Sequence, residues 1–149
     1  MTPDELVEIV RSHGCTTNDA RDAAHEACHA LSWGVKKPWT RDNIHAKKPK
    51  NHRVFGPMPG VREEILARAV EQLVCSALGF DCGTVEKWAM VCWMEMIKNE
   101  GVSLPTGGWL ADSIRSEMTG KRAAELTKRI LELKPKRKRA IAREEGRAL

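Results

Sequence analysis

The fold is decided by the stretch ARDAAHEACHAL, residues 20–31. Its alanines and Leu31 recur with the 3.6-residue period of a helix, which predicts an amphipathic helix with an apolar face of small residues. Thr17 precedes this run and Gly34 follows it, and both residue types are typical of helix ends. We therefore predict a helix from about Thr17 to Trp33 whose alanines allow a neighbouring helix to approach closely.

Glycine, proline and threonine punctuate the rest of the chain in the same way and predict about six helices in total. The five other predicted helices cover roughly residues 3–13, 61–78, 84–99, 109–118 and 121–133. The segment 84–99 is apolar nearly all round, which predicts a central position. The expected fold class is therefore mostly α, with a single domain over residues 1–133 and a basic tail over residues 134–149.

A long basic connection over residues 35–60 separates the second helix from the third. It contains four prolines, and residues 36–53 carry seven Lys or Arg against one acid, Asp42. A connection of this length in a compact domain is more often functional than idle. It is interpreted as a basic crossover loop, and a short strand around residues 53–55 is left open.

Composition excludes several classes of protein. Hydrophobic residues make up 42% of the chain, which excludes a disordered protein. The five cysteines are odd in number and form no Cys-x-x-Cys pair, so a reducing compartment is expected rather than a disulfide framework. The acidic first residues are unlike a secretory signal, and no apolar run approaches the roughly 18 residues of a membrane span. We therefore expect a cytoplasmic protein with no membrane partner.

The predicted second helix carries a His-Glu-x-x-His motif at residues 25–29. Residues four apart lie one turn apart on the same helix face, so His25 and His29 can share one metal ion on a face expected to be exposed. Two imidazoles fix one edge of the zinc tetrahedron, and Glu26 then serves as general base for a zinc-bound water. Shuffling this composition gives roughly 0.015 such matches, so the motif is specific. The alternative is a pair of ordinary surface histidines.

A zinc site of this type requires a third protein ligand. The acids of the predicted helix 61–78 are Glu63, Glu64 and Glu71. At 100° per residue, Glu64 and Glu71 lie on one flank of the helix, just outside its apolar arc, whereas Glu63 lies within the arc in the first turn. Glu64 and Glu71 are therefore equal candidates for the third ligand, and each is equally typical of a solvated carboxylate.

Residues 25–30, HEACHA, resemble the HEAGHA signature of the FtsH-type zinc proteases, with Cys28 in place of a glycine. Residues 69–73, AVEQL, resemble the Ala-Ala-Glu-Glu-Leu stretch of that family. The third zinc ligand of the family is an aspartate further along the chain, for which Asp81 is the nearest equivalent here.

The order of the elements also resembles that of the ImmA/IrrE-type phage-repressor proteases. In those proteins a helix opening with Glu-x-x-Ala follows the His-Glu-x-x-His helix, and residues 64–67, EILA, fit that pattern and nominate Glu64. Both resemblances imply a zincin-like helical domain, a zinc cofactor, and hydrolysis of a peptide bond in a peptide or protein substrate.

The basic segments predict a second kind of partner. The loop 36–53 and the tail could contact the phosphate backbone of a nucleic acid, or an acidic partner, although both are also typical of solvated surface. The tail residues concerned are Lys136, Arg137, Lys138 and Arg139. His45 or His52 of the loop could instead supply a metal ligand.

Two functions follow from these patterns. The leading one is a zinc-dependent metallopeptidase-like protein in which His25, His29 and Glu64 or Glu71 hold zinc and Glu26 moves the proton. The alternative is a small basic nucleic-acid- or protein-binding module whose motif is structural or vestigial.

Overall fold

The computed structural model describes residues 1–49 and 59–136, and this part of the chain contains seven α-helices and no strand. The helices are α1 (Pro3–Ser12), α2 (Ala20–Ser32), α3 (Arg41–Ala46), α4 (Pro59–Leu78), α5 (Val85–Glu100), α6 (Gly107–Met118) and α7 (Lys121–Leu131). They hold 69% of the described residues in one domain, so the predicted mostly-α fold class is confirmed.

Short polar side chains begin most of the helices. The side-chain oxygen of each capping residue accepts a hydrogen bond from the backbone N–H three residues later, which satisfies an amide that has no partner within the helix. These caps are Thr2, Asp19, Thr40, Thr84 and Thr106. Helix α2 begins three residues later than predicted, because Asp19 provides its cap instead of Thr17. Helix α5 ends at Gly101, whose φ of 61° lies in the left-handed region that favours glycine.

Helix α3 lies inside the basic connection, where the sequence predicts no helix. It has six residues, of which only Ile44 is buried, so no repeated apolar spacing marks it. Thr40 caps it by accepting from the N–H of Asn43 at 3.2 Å. The strand left open at residues 53–55 lies outside the described residues.

Helix α4 is the centre of the domain and packs against α2, α5, α6 and α7. One side of α4 contributes Leu66, Val70 and Val74 to a core shared with α1, α2 and α7. Its other side completes a second core with α5 and α6. The α2–α4 contact is the most extensive in the domain, because the alanines of α2 are fully or almost fully buried there and allow the two backbones to approach closely.

The prediction that the helix at 84–99 is central is wrong. Helix α5 lies at the side of the domain, with Met90 48% exposed and Met94 49% exposed. Only Ala89, Cys92 and Met96 of this helix are fully buried among its described side chains. Apolar residues all round a helix therefore do not place it in the middle when a longer neighbour with two apolar sides occupies that position.

The start of the tail and the start of the basic connection meet at the end of α1. The Nε2 atom of His13 lies 2.8 Å from the carbonyl oxygen of Lys134, and the N–H of Lys136 donates to Ser12 Oγ at 2.9 Å. The N–H of Trp39 donates to the carbonyl of His13 at 2.6 Å, and the two rings pack with centroids 5.0 Å apart. Two segments about 100 residues apart in sequence thus share one edge of the domain.

Within residues 1–49 and 59–136, no helix combines the length and the apolar character that crossing a bilayer requires.

Candidate metal centre

Three potential metal ligands converge between α2 and α4. The Nε2 atoms of His25 and His29 are 2.9 Å apart. The carboxylate of Glu64 lies 3.5 Å from Nε2 of His25 and 3.2 Å from Nε2 of His29. Ligand atoms on a tetrahedral zinc with bonds of about 2.0–2.1 Å are about 3.3 Å apart. The donor atoms and their spacing therefore fit three corners of a zinc site.

Glu71, the other candidate for the third ligand, lies at the opposite edge of the His25 ring. Its Oε1 atom is 2.5 Å from Nδ1 of His25, and its side chain is 0% exposed. Arg21 Nη1 donates to Oε1 of Glu71 at 3.0 Å, and Arg68 Nη1 lies 3.2 Å from Oε1 and 3.3 Å from Oε2. The structure thus separates the two acids, since Glu64 faces the Nε2 atoms and Glu71 faces Nδ1.

The other two acids that the sequence offered as a third ligand, Glu63 and Asp81, have other partners. Glu63 accepts a hydrogen bond from Ser32 Oγ at 2.8 Å and forms an ion pair with Arg122 at 3.0 Å. Asp81 lies in the loop after α4, where its carboxylate accepts from the N–H of Gly83 at 2.9 Å. Within the described residues, the cluster of potential metal ligands contains neither of these acids.

The histidine face of α2 is buried, which corrects the expectation of an exposed face. His29 is 4% exposed, and its ring stacks on that of Trp33 with centroids 4.2 Å apart and planes 19° apart. His25 is partly buried, and the carboxylates of α4 lie against both of its ring nitrogens. The histidines and the alanine stripe lie on different sides of α2, but residues of α4 contact both. An ordinary pair of surface histidines is therefore excluded.

The carboxylates beside the two histidines change the pKa values of the three potential ligands. Burial opposes charging of His25, but the adjacent carboxylates of Glu71 and Glu64 outweigh it and raise the pKa of His25 to about 10. Burial and the charge of His25 lower the pKa of His29. Burial also opposes ionisation of Glu64, yet the two imidazoles hold the pKa of that carboxyl well below its ordinary value. The carboxylates of Glu71 and Glu64 thus favour positive charge at His25, whether a proton or a metal cation on Nε2 carries it.

A cavity of about 180 Å³ opens onto the three ligands, and Glu26 is one of the residues that line it. This volume admits several water molecules. Glu26 is partly buried and lies outside the cluster of potential ligands in the described residues. Lys48 lies at the same cavity, with Nζ 3.9 Å from Oε1 of Glu64.

The remaining residues predicted as possible metal ligands or nucleic-acid contacts lie partly within and partly outside the described residues. His45 is exposed on α3 and lines the same cavity, but it is not part of the ligand cluster. Lys136 is exposed beside α1. The candidates that lie outside the described residues are His52, Arg137, Lys138 and Arg139.

Arg21 and Arg68, the two arginines that contact Glu71, were not predicted from the sequence. A signal for both was present, because Arg21 lies one helical turn before His25 and Arg68 lies one turn after Glu64 and one turn before Glu71. On α4, Glu64, Arg68 and Glu71 follow one another at one-turn spacing, and on α2 Arg21 and His25 do the same. Two helix flanks of this kind predict a charged network where the helices pack together.

The chain has no match among family models, curated proteins or solved structures.

Proposed function

We propose that this chain is a zinc-dependent metallopeptidase-like hydrolase. The observation that carries the proposal is the convergence of His25 Nε2, His29 Nε2 and the Glu64 carboxylate beside a cavity that Glu26 also lines. Two imidazoles and one carboxylate are a donor set typical of catalytic zinc sites, in which a fourth position is kept for water or substrate.

The roles of the residues follow from their places. His25, His29 and Glu64 would hold the zinc, and a zinc bound there supplies Lewis-acid polarisation and a lowered pKa of water. Glu26 can accept a proton from a water molecule in the cavity and pass it to the leaving amine, because its carboxylate is not needed as a ligand. The stacked ring of Trp33 fixes the plane of the His29 ring.

A peptide bond is the proposed target, and a cytoplasmic setting belongs to the same proposal. The substrate class is supported by the resemblance of residues 25–30 to the FtsH-type signature and of residues 64–67 to the ImmA/IrrE-type pattern. The compartment is supported by the cysteines, because all five are free thiols and four are buried.

Metal content and peptide cleavage, measured on the same preparation, test this function. We expect one zinc per chain by mass spectrometry, and cleavage of a mixed peptide library that stops when a chelator removes the metal. Zinc uptake with no cleavage across varied peptides would contradict the enzymatic part. Absence of zinc after dialysis against a slight excess of the metal would contradict the site.

We further propose nucleic-acid binding as a second candidate function, because two basic segments meet at one edge of the domain. Lys36, Lys37 and Lys136 are exposed there. Burial is the first cause that lowers the pKa of His13, and the nearby charges of Lys37 and Lys136 lower it further. Exposed lysines of both segments thus lie near one another, as expected of a surface that contacts a phosphate backbone.

Salt dependence tests this second function. Because each neutralised phosphate releases counterions, the affinity for duplex DNA should fall with salt with a log–log slope of roughly −0.9 per phosphate contact. Replacing Lys136, Arg137, Lys138 and Arg139 with Ala should flatten that slope, whereas the control Lys98→Ala on α5 should leave it unchanged. Titration with a labelled DNA duplex and with single-stranded RNA, repeated over a range of salt concentrations, measures the affinity and its slope. No binding to either nucleic acid at low salt would contradict this second function.

A further inference from the structure

We propose that Glu71 is a positioning residue of the metal centre, which holds the His25 ring so that its Nε2 atom faces the metal. This inference rests on the proposed zinc site and adds to it a residue that binds no metal. It assigns different tasks to the two acids that the sequence could not separate, with Glu64 as ligand and Glu71 as the partner of a ligand.

The contact at Nδ1 supports this role. Oε1 of Glu71 and Nδ1 of His25 are 2.5 Å apart, on the edge of the ring away from Nε2. A carboxylate at this position holds a proton on Nδ1, so a metal that binds His25 would displace the proton on Nε2. The same contact fixes the ring against rotation, so that Nε2 stays next to His29 and Glu64.

Two arginines hold Glu71 in place. Arg21 approaches from α2 and Arg68 from α4 itself, and both lie within 3.2 Å of Oε1, the oxygen that meets His25. A fully buried carboxylate needs such charge pairing, because burial without it would favour the neutral acid. The pairing therefore keeps Glu71 as an anion that accepts the N–H of His25.

The arginines are held in turn by one indole. The guanidinium carbon of Arg21 lies 4.0 Å from the centroid of the Trp88 ring, and that of Arg68 lies 5.1 Å from it. Trp88 itself is fixed because its Nε1–H donates to the carbonyl of Cys82 at 2.6 Å. Three helices, α2, α4 and α5, thus determine where Glu71 lies.

His29 is held differently, which makes the proposal specific to one ring. Its Nδ1 atom is buried and has no hydrogen-bond partner within the described part of the chain, and its ring is fixed by stacking on Trp33. Loss of Glu71 should therefore loosen His25 and leave the other two ligands in place. The expected result is a weakened site with an altered geometry, not an absent one.

Zinc affinity by chelator competition tests the proposal on the full chain. We expect Glu71→Gln to weaken zinc binding by about 10–100-fold. The visible absorption of the cobalt-loaded protein should also change, because the geometry at His25 changes. Arg21→Ala, which removes one of the two guanidinium partners, should weaken binding by a smaller factor.

Glu63→Gln is the matched control. Glu63 lies on the same helix next to Glu64, is also buried, and also pairs with an arginine, Arg122, but its hydrogen bond goes to Ser32. This variant should lower thermal stability while zinc affinity and the cobalt spectrum stay as in the wild type. A merely structural role for Glu71 predicts that the two variants behave alike.

The outcomes separate this inference from the function on which it rests. If the wild-type chain binds no zinc, the proposed metal centre itself is wrong. If the wild type binds zinc and Glu71→Gln binds it equally well with the same cobalt spectrum, only the role of Glu71 is overturned. If Glu71→Gln does not fold, Arg21→Ala takes its place. In that case, a zinc affinity and a cobalt spectrum of Arg21→Ala that match those of the wild type would overturn the role of Glu71.

Discussion

Replacing Glu26 by glutamine should leave one zinc per chain and lower the rate of peptide cleavage by roughly 10²–10⁴-fold. The metal stays because the ligand cluster, His25, His29 and Glu64, does not include Glu26. Cleavage falls because an amide cannot accept a proton from water in the cavity that Glu26 lines. Zinc content and initial cleavage rates, measured side by side for the wild type and Glu26→Gln, provide the test.

Asp22→Asn is the control for the change of charge. Asp22 lies one turn before Glu26 on α2, and together the two line a second cavity of about 280 Å³. Removing its charge should change the rate little, because Asp22 is not among the residues that line the cavity at the ligands. Undiminished cleavage by Glu26→Gln would remove Glu26 from the mechanism.

Replacing His25 by alanine should abolish stoichiometric zinc binding. One of three protein ligands is lost, and two ligands do not make a site of the same affinity. A metal that binds only the folded chain stabilises it, by about 2.7 kcal/mol when free zinc is 100 times its dissociation constant. The wild type should therefore melt several degrees higher with zinc than without it, and His25→Ala should show no such rise. Scanning calorimetry with and without zinc measures the difference.

His45→Ala is the matched control, since His45 lines the same cavity but lies outside the ligand cluster. It should keep the zinc-dependent rise in melting temperature. Loss of that rise in His45→Ala, or its persistence in His25→Ala, would show that the ligand set is assigned incorrectly.

The helices were largely predictable because local chemistry decides them. Caps such as Thr2 and Thr84, and terminators such as Gly101, act within a few residues of the helix end, so the sequence alone marks them. Helix α3 could not be predicted, because one buried residue, Ile44, gives no period to recognise. The central place of α4 could not be predicted either, since it depends on how four other helices pack around it.

The parts of the candidate site that lie within one helix were predictable, whereas those that depend on the packing of α2 against α4 were not. Spacing along α2 brings His25 and His29 together, and spacing along α4 puts Glu64 and Glu71 on one flank. Both acids do reach His25, but at opposite edges of its ring. Which edge each acid meets is set by the crossing of α2 and α4, a tertiary property that no local pattern records. The burial of the histidine face has the same cause.

X-ray absorption at the zinc edge, on the chain loaded with one equivalent of zinc, identifies the ligand atoms of the proposed site. We expect four-coordinate zinc with two imidazole nitrogens at about 2.0–2.1 Å, oxygen ligands at about 2.0–2.2 Å, and no sulfur. Cys92 lines the same cavity as the histidines and is a competing sulfur donor there. A sulfur ligand at about 2.3 Å, or a shell of oxygens without imidazole, would contradict a site built from His25, His29 and Glu64.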